Sequence, residues 1–426
     1  MSKTNLRIRV LPAIGDIGAA EWDACADPGA ARHARKGFQK PTNSDAAGDA
    51  PACAGGPASG ANVDSQQPFN PFTSHDFLWA LEASGSAVAR AGWQPQHLVA
   101  ETDGAVLGVA PCYLKSHSRG EYVFDHGWAE AYERAGGDYY PKLQVAVPFT
   151  PVPGRRFLAR AGDNAVAEAA LAAGLVELTR MREASSAHLT FLTETEWRFL
   201  GEQGFLQRTD QQFHWENGGY TTFEDFLAAL AARKRKAIRR ERRDAIPSGV
   251  TVHWLTGADL TEGAWDAFFA FYMETGSRKW GRPYLTRSFF SMVGEKMRDH
   301  ILLVMARRAG RYIAGALNFI GSDTLFGRNW GAIEHHPFLH FELCYYQAIE
   351  FAITTGLARV EAGAQGEHKL ARGYMPSTTY SAHYVRDAGL RRAIADYLKR
   401  ERAYVEAAGA ELATYAPYRK VDAEDA

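Results

Sequence analysis

LLVMARRAGRYIAGALNFI, from Leu302 to Ile320, runs as apolar residues on both sides of a glycine turn, and HLVAETDGAVLGVAPCYL, from His97 to Leu114, reads the same way earlier in the chain. Each has a turn glycine, Gly310 or Gly104, and a second glycine in the return strand, Gly315 or Gly108. The pattern is that of a β-hairpin whose second strand is approached closely by backbone or ligand. A second pair of stretches follows in the same order. GFLQRTDQQFHW from Gly204 matches GYMPSTTYSAHY from Gly373, with an aromatic after the glycine and with Thr209 and His214 standing where Thr378 and His383 stand. Two anchors repeated in order predict a duplicated unit. Each unit reads as hairpin, long helix, strand, short helix and final strand; the first is lengthened by a Tyr- and Pro-rich stretch from Trp128 to Arg156. Hairpins mixed with helices, twice over, predict an α/β (α+β) protein with a mixed, largely antiparallel sheet flanked by helices in each half.

The boundaries follow from composition. In 426 residues, 46% are hydrophobic and 23% charged, which is the balance of a globular chain of about two domains. Residues 1–27 start the first unit and 68–218 continue it. Residues 28–67, rich in Gly, Ala, Pro, Ser and Asp, have too few large apolar side chains to offset their ordering entropy and read as a disordered insertion. Residues 219–249 form a basic helix and 250–426 the second unit. With no apolar run long enough to span a bilayer and no signal-peptide layout at the start, the expected location is cytoplasmic. The four cysteines, Cys25, Cys53, Cys112 and Cys344, include no CxxC pair, so they read as free thiols.

TTFEDFLAALAARKRKAIRRERRDAIPSG, from Thr221, reads as one helix. Thr221 or Thr222 caps it, Glu224 or Asp225 completes a capping box, and Pro247 and Gly249 end it. Phe223, Phe226, Leu227, Leu230 and Ile238 would face the protein. From Arg233 onward the run is cationic, with Glu241 and Asp244 its only acids before Ala245, in a chain whose net charge is −1. Like charges at helical spacing repel, and a phosphate-bearing partner would offset that cost. Arg235, Lys236, Arg239 and Arg240 are therefore expected to hold donor phosphate.

Three further stretches are candidates for chemistry. GAIEHHPFLHFELC, from Gly331, lacks metal-ligand spacing and reads as a loop leading into a helix whose start can receive an anion; no metal is expected. GAQGEHKLARGYMP, from Gly363, follows a strand and carries Glu367, His368 and Lys369. GSRKWGRPYLT, from Gly276, sets Lys279 and Arg282 around Trp280 and Tyr284, a makeup suited to a ligand with phosphate and planar parts. Trp330 and Tyr374 complete the expected substrate contacts. The chain has no GxSxG, Walker or GxGxxG motif, so hydrolase, NTPase and hydride-transfer readings lose their support.

From Asn70 to Arg402 the chain resembles the FemAB-like predicted N-acyltransferases, relatives of the GNAT acetyltransferases and of Fem peptidyltransferases that use aminoacyl-tRNA. NPFTSHDFLWALEASG, GWQPQHL, the FHWENGGYTTFEDFLAALAARKRKAIRRER block and the GAQGEHKLARGYMP region carry the resemblance. It implies two GNAT-like domains, and it places Lys369 where relatives have a basic residue near substrate or donor phosphate. The Q/RxxGxG/A loop that holds coenzyme A pyrophosphate in GNAT enzymes is replaced here by EHHPFLHFEL. No tightly bound cofactor is implied; acyl-CoA, acyl carrier protein and aminoacyl-tRNA stay open as co-substrate donors.

The expected activity is an N-acyltransferase that moves an acyl or aminoacyl group to a small-molecule or peptide amine in a ternary complex. Glu361, Glu367 and His368 are the candidate bases, and Lys369 and Arg328 the candidate anion stabilisers. The other reading is a non-catalytic module that docks tRNA, acyl carrier protein or an anionic membrane through the basic helix. Sequence-specific DNA binding is not expected, because no element for reading base edges is visible.

Overall fold

A computed structural model of the chain describes residues 6–28, 68–247, 249–280, 283–363 and 366–419, without the side chains of 277–280 and 367. The insertion read at 28–67 lies outside the described residues apart from Pro28. The first half supplies strands β1 (Leu6–Leu11), β2 (Trp93–Pro95), β3 (His97–Thr102), β4 (Ala105–Ala110), β5 (Cys112–Lys115), β6 (Lys142–Val145), β7 (Leu158–Ala159), β8 (Ser186–Leu192) and β9 (Leu206–Glu216). The second supplies β10 (Val250–Leu255), β11 (Ile301–Arg308), β12 (Arg311–Ile320), β13 (Thr324–Ala332), β14 (Arg359–Glu361) and β15 (Met375–Val385).

Both hairpins form, β3 with β4 and β11 with β12. Gly104 and Gly310 turn them at φ +84° and +80°, a conformation that side chains resist. The return-strand glycines make room for neighbours: a Cβ on Gly315 would stand 2.6 Å from Met305 Sδ, and one on Gly108 2.8 Å from Ala167 Cβ. In the first half Pro111, which has no N–H to donate, separates β4 from β5 and splits the unit between two sheets. β12 runs unbroken. One sheet has the order β1-β3-β4-β7, and the other, of eleven strands, β10-β11-β12-β13-β14-β9-β15-β8-β6-β5-β2.

The order of the large sheet shows an exchange. β9, the last strand of the first half, lies between β14 and β15 of the second; β15 lies between β9 and β8. The two repeated stretches therefore pair with each other, antiparallel, from Met375 opposite His214 to His383 opposite Leu206. Asp210 stands opposite Thr379, its own counterpart in the repeat, so an approximate two-fold axis passes between them. On either side of this pair the arrangement repeats: β6 runs parallel to β8, and β13 parallel to β14.

The single basic helix expected from Thr221 is two helices. Thr222 caps the first, Phe223–Ala229, with Asp225 completing the box. The chain then opens at Leu230 (φ −81°, ψ 151°) before Ala232–Ala245. The break has a tertiary cause, because the C-terminal segment adds itself there: Leu230 bridges to Tyr418, the Ala231 N–H donates to Pro417 O (2.9 Å) and the Arg419 N–H to Ala229 O (3.0 Å). The long helix of the second unit starts at Leu339–Phe341, passes through a π turn at Glu342–Tyr346, continues over Gln347–Thr355 and ends at Gly356, φ +69°. Leu343, Tyr346, Ile349 and Phe351 pack it onto Leu302, Val304, Ile313 and Leu325 of the sheet.

Candidate active site

β13 and β14 pair in parallel only from Thr324 to Phe326 and from Arg359 to Glu361, after which they part. Gly327 keeps the parting point tight: a Cβ there would stand 3.3 Å from Glu361 O. A cavity of about 100 Å³ lies at the parting, lined by Asn318, Arg328, Trp330, His340, Cys344 and Tyr345 among others. Trp330 and His340 also line a larger cavity of about 420 Å³, which opens around His335, His336 and Phe338 at the start of the helix. The π turn brings Cys344 and Tyr345 to the cavity, in keeping with the frequent use of such turns at functional sites.

Glu361 ends β14 and is buried, with Oε2 lacking a hydrogen-bond partner among the described residues. Burial pushes its carboxyl up to about 8; Asp323 and Glu216 add to the shift, and Arg359 and Arg328 oppose it. Glu361 lies beside His214 in register, His214 Nε2 is 3.2 Å from Gln212 Oε1, and Gln212 Nε2 donates to Pro151 O (2.9 Å). Gln212 lines a groove of about 300 Å³ at the junction of the halves, with Tyr122, Phe124, Asp210 and Thr379. Arg328 is half-buried and reaches across the same junction, Nη2 donating to Phe149 O (2.5 Å). Burial lowers its pKa.

Lys369 lies in a 3-10 turn, Glu367–Arg372, and is buried with Nζ donating to Gly363 O (2.8 Å). Burial lowers its ammonium to about 8. His368 is exposed, its Nε2 2.9 Å from Tyr345 Oη.

The two-fold relation gives the first half a counterpart of this site, and it is filled. His188 stands beside His383 as Glu361 stands beside His214, with the two Nδ1 atoms 2.7 Å apart. Around them Lys142 donates to Glu121 Oε2 (2.7 Å) and to Asp125, and Tyr139 Oη to Asp125 Oδ2 (2.7 Å). Where β6 and β8 part, the chain's own backbone takes the place: Gly154 N donates to Phe191 O (3.0 Å). The buried Arg156 guanidinium donates to Thr190 O and Val152 O (2.9 and 2.7 Å).

A sequence profile of the FemAB-like family, described as one of peptidoglycan biosynthesis and recognition, matches residues 58–420. The chain belongs to the FemAB-like family. Among solved structures it is similar to FemX, with 13% identity and a TM-score of 0.50 over 78% of this chain and 96% of that one. It is also similar to a tandem GNAT protein from the clavulanic acid biosynthesis pathway, with 14% identity and a TM-score of 0.43 over 89% of this chain and 98% of that one. No curated protein matches. The family supports a transferase, and the likeness to FemX is one of fold.

Within the FemAB-like fold the sequence-derived residues separate into groups. Arg328 and Trp330 line the cavity at the parting strands, Glu361 ends the strand that parts there, and Lys369 lies in the turn that follows. Arg239 pairs with Glu224 (2.5 Å) and Arg240 with Asp244 (3.3 Å) on the exposed side of the basic helix; Lys236 is exposed and Arg235 half-buried. Tyr284 stacks on Phe149, centroids 4.8 Å apart. Tyr374 is fully buried, bonded to Tyr345 O (3.4 Å), and lines none of these cavities. Arg282 and the side chains of Lys279, Trp280 and Glu367 lie outside the described residues. No described helix is long and apolar enough to cross a membrane. Asn318, Tyr122 and Phe149 escaped the sequence reading, and Glu241 was noted there only as an acid within the cationic run. For Glu241 a signal existed, since a carboxylate inside a cationic run needs a partner.

Proposed function

We propose that the chain transfers an activated aminoacyl group to a primary amine of a peptide at one site in its second half. The observation that carries this reading is Glu361, a buried carboxyl with one oxygen unpartnered among the described residues, at the point where β13 and β14 part. The donor would enter the cavity around Trp330 and Cys344, and the amine would come from the groove at the junction of the halves. Glu361, titrating at about 8, takes the proton of the ammonium. The freed amine attacks the carbonyl carbon and forms the C–N bond, and the Lys369 ammonium opposes the developing oxyanion. The bond to the donor oxygen or sulfur then breaks, that atom leaves with the proton returned by Glu361, and the amide nitrogen gives its second proton to the regenerated carboxylate, which releases it to water.

The family's description favours a cell-wall peptide as the acceptor. The exposed Lys236, Arg240 and Arg243 favour a polyanionic donor such as aminoacyl-tRNA over a free acyl-CoA. To test this, the protein is mixed with a lysine-bearing cell-wall peptide and with aminoacyl-tRNA, acyl-CoA or acyl-loaded carrier protein, and amide formation is followed by mass spectrometry. The expected result is amide from aminoacyl-tRNA alone, with binding that weakens at high salt and on replacing Arg240 and Arg243. Amide from acyl-CoA, insensitive to both, would overturn the donor assignment; no amide from any donor would overturn the transfer reading.

A further inference from the structure

Between Arg233 and Ala245 the basic helix has two acids, and they behave differently. Asp244 accepts from Arg240 and Arg243 of its own helix. Glu241 reaches off the helix: both of its oxygens accept from Arg372 Nη2 (2.9 and 2.8 Å), and Oε2 also accepts from Tyr346 Oη. Arg372 is itself buried and held on two further sides, donating from Nη1 to His368 O (2.7 Å) and lying 3.5 Å over the Phe341 ring. Arg372 ends the 3-10 turn that contains Lys369, and the turn is bounded by Gly366 (φ +119°) and Gly373 (φ +93°). Glycines at both ends leave the turn's orientation to be fixed by its contacts.

We propose that Glu241 is a positioning residue for the transfer site: by gripping Arg372 it fixes the Glu367–Arg372 turn, and with it the direction of the Lys369 ammonium. The proposal rests on the functional reading above for what Lys369 does, but not for how it is held. Glu241 ties three elements at one point: the helix that carries the exposed cations, the helix whose π turn supplies Cys344 and Tyr345 to the cavity, and the turn of Lys369. The neighbouring Arg242 adds a second tie between the same two helices, donating to Glu342 (3.1 and 3.0 Å) and Glu350 (2.6 Å). A donor docked on Arg240 and Arg243 would thus sit on the element that sets the Lys369 turn.

The first readout needs no substrate, and the transfer assay above supplies the second. The full chain is labelled with trinitrobenzenesulfonate across a pH series, and modification of Lys369 is read by peptide mass spectrometry. Native protein, E241Q and the charge-swapped E241R/R372E are compared, with folding checked by thermal unfolding. In the native chain the labelling midpoint should fall near 8, the value set by burial of the ammonium. In E241Q the loosened turn should let water reach Lys369 and raise the midpoint by about one unit or more; the swapped pair should return it to the native value. A folded E241Q with an unchanged Lys369 profile overturns the proposal. Should E241Q fail to fold, the swapped variant decides alone: the native midpoint supports the proposal, and a raised one overturns it. If E241Q shifts the midpoint while no donor is ever transferred, the positioning role stands and the transfer reading falls. If E241Q loses transfer with its Lys369 profile intact, the positioning role falls and the transfer reading stands.

Discussion

A carboxyl that titrates at about 8 in the folded chain and at 4.5 when unperturbed binds more protons folded than unfolded between those values. Stability attributable to Glu361 is therefore lost as pH rises from about 4.5 to about 8, and stays lost above that. E361Q should remove the penalty. The variant should unfold at a higher temperature than the native chain at pH 9, by the equivalent of about 3–5 kcal/mol, and the two should converge below pH 4.5. The same variant should transfer more slowly by ~10²–10⁴-fold if Glu361 is the base. Equal thermal profiles at pH 9 would show that the carboxyl has a partner or water in solution. Lys369 has the opposite sign: its depressed pKa, about 8 against 10.5, costs stability below pH 8 and returns it as pH rises to 10.5. K369M is expected to be more stable at pH 7 by ~1–3 kcal/mol and to lose transfer; a less stable variant would mean that the bond to Gly363 O outweighs desolvation. Glu361 was legible as a carboxylate at a strand end. Its unpaired oxygen was not, because what surrounds it comes from strands distant in sequence.

Among elements, the basic helix shows how far local rules reach. Its cap at Thr222 was readable, since a capping box is made within four residues. Its break at Leu230 was not, because the segment at 417–419 that competes for the backbone is nearly two hundred residues away. Removing residues 416–426 should free the Ala231 amide, which donates to Pro417 O. Hydrogen exchange at Ala231 should then rise at least ~10-fold while amides inside Ala232–Ala245 keep their native rates. Unchanged exchange at Ala231 would mean that the break is intrinsic to the helix sequence. The π turn at Glu342–Tyr346 belongs to the same class: the fully buried Glu342, bound by Arg242 and Gln347, is a tertiary constraint that helical periodicity does not report.

For the whole molecule, the exchanged strands join the halves more tightly than two linked domains. β9 borders β14 and β15, and β15 borders β8, so removal of either half strips backbone partners from the centre of the other's sheet. A chain cut at Gly219, between β9 and the basic helix, should give two pieces that aggregate when made separately and copurify as a folded pair when made together. Size exclusion and circular dichroism would check this, and a second half that folds alone would refute it. The filled site of the first half is expected to make donor binding saturate at one per chain by calorimetry; two per chain would show that Arg156 and its loop can withdraw.

The sequence by itself determined the repeated stretches, visible by comparing one part of the chain with another, and the hairpins and the cap at Thr222, which are set by residues close in the chain. It also marked Lys369 and Glu361 as candidates for chemistry. Tertiary structure alone decided that the two repeated stretches pair with each other, that the first half's opening is closed by Arg156, and that Glu241 reaches Arg372. Strand partners and buried charge pairs are chosen by surfaces meeting across the fold, and the period of side chains along one strand is the same whichever strand lies beside it.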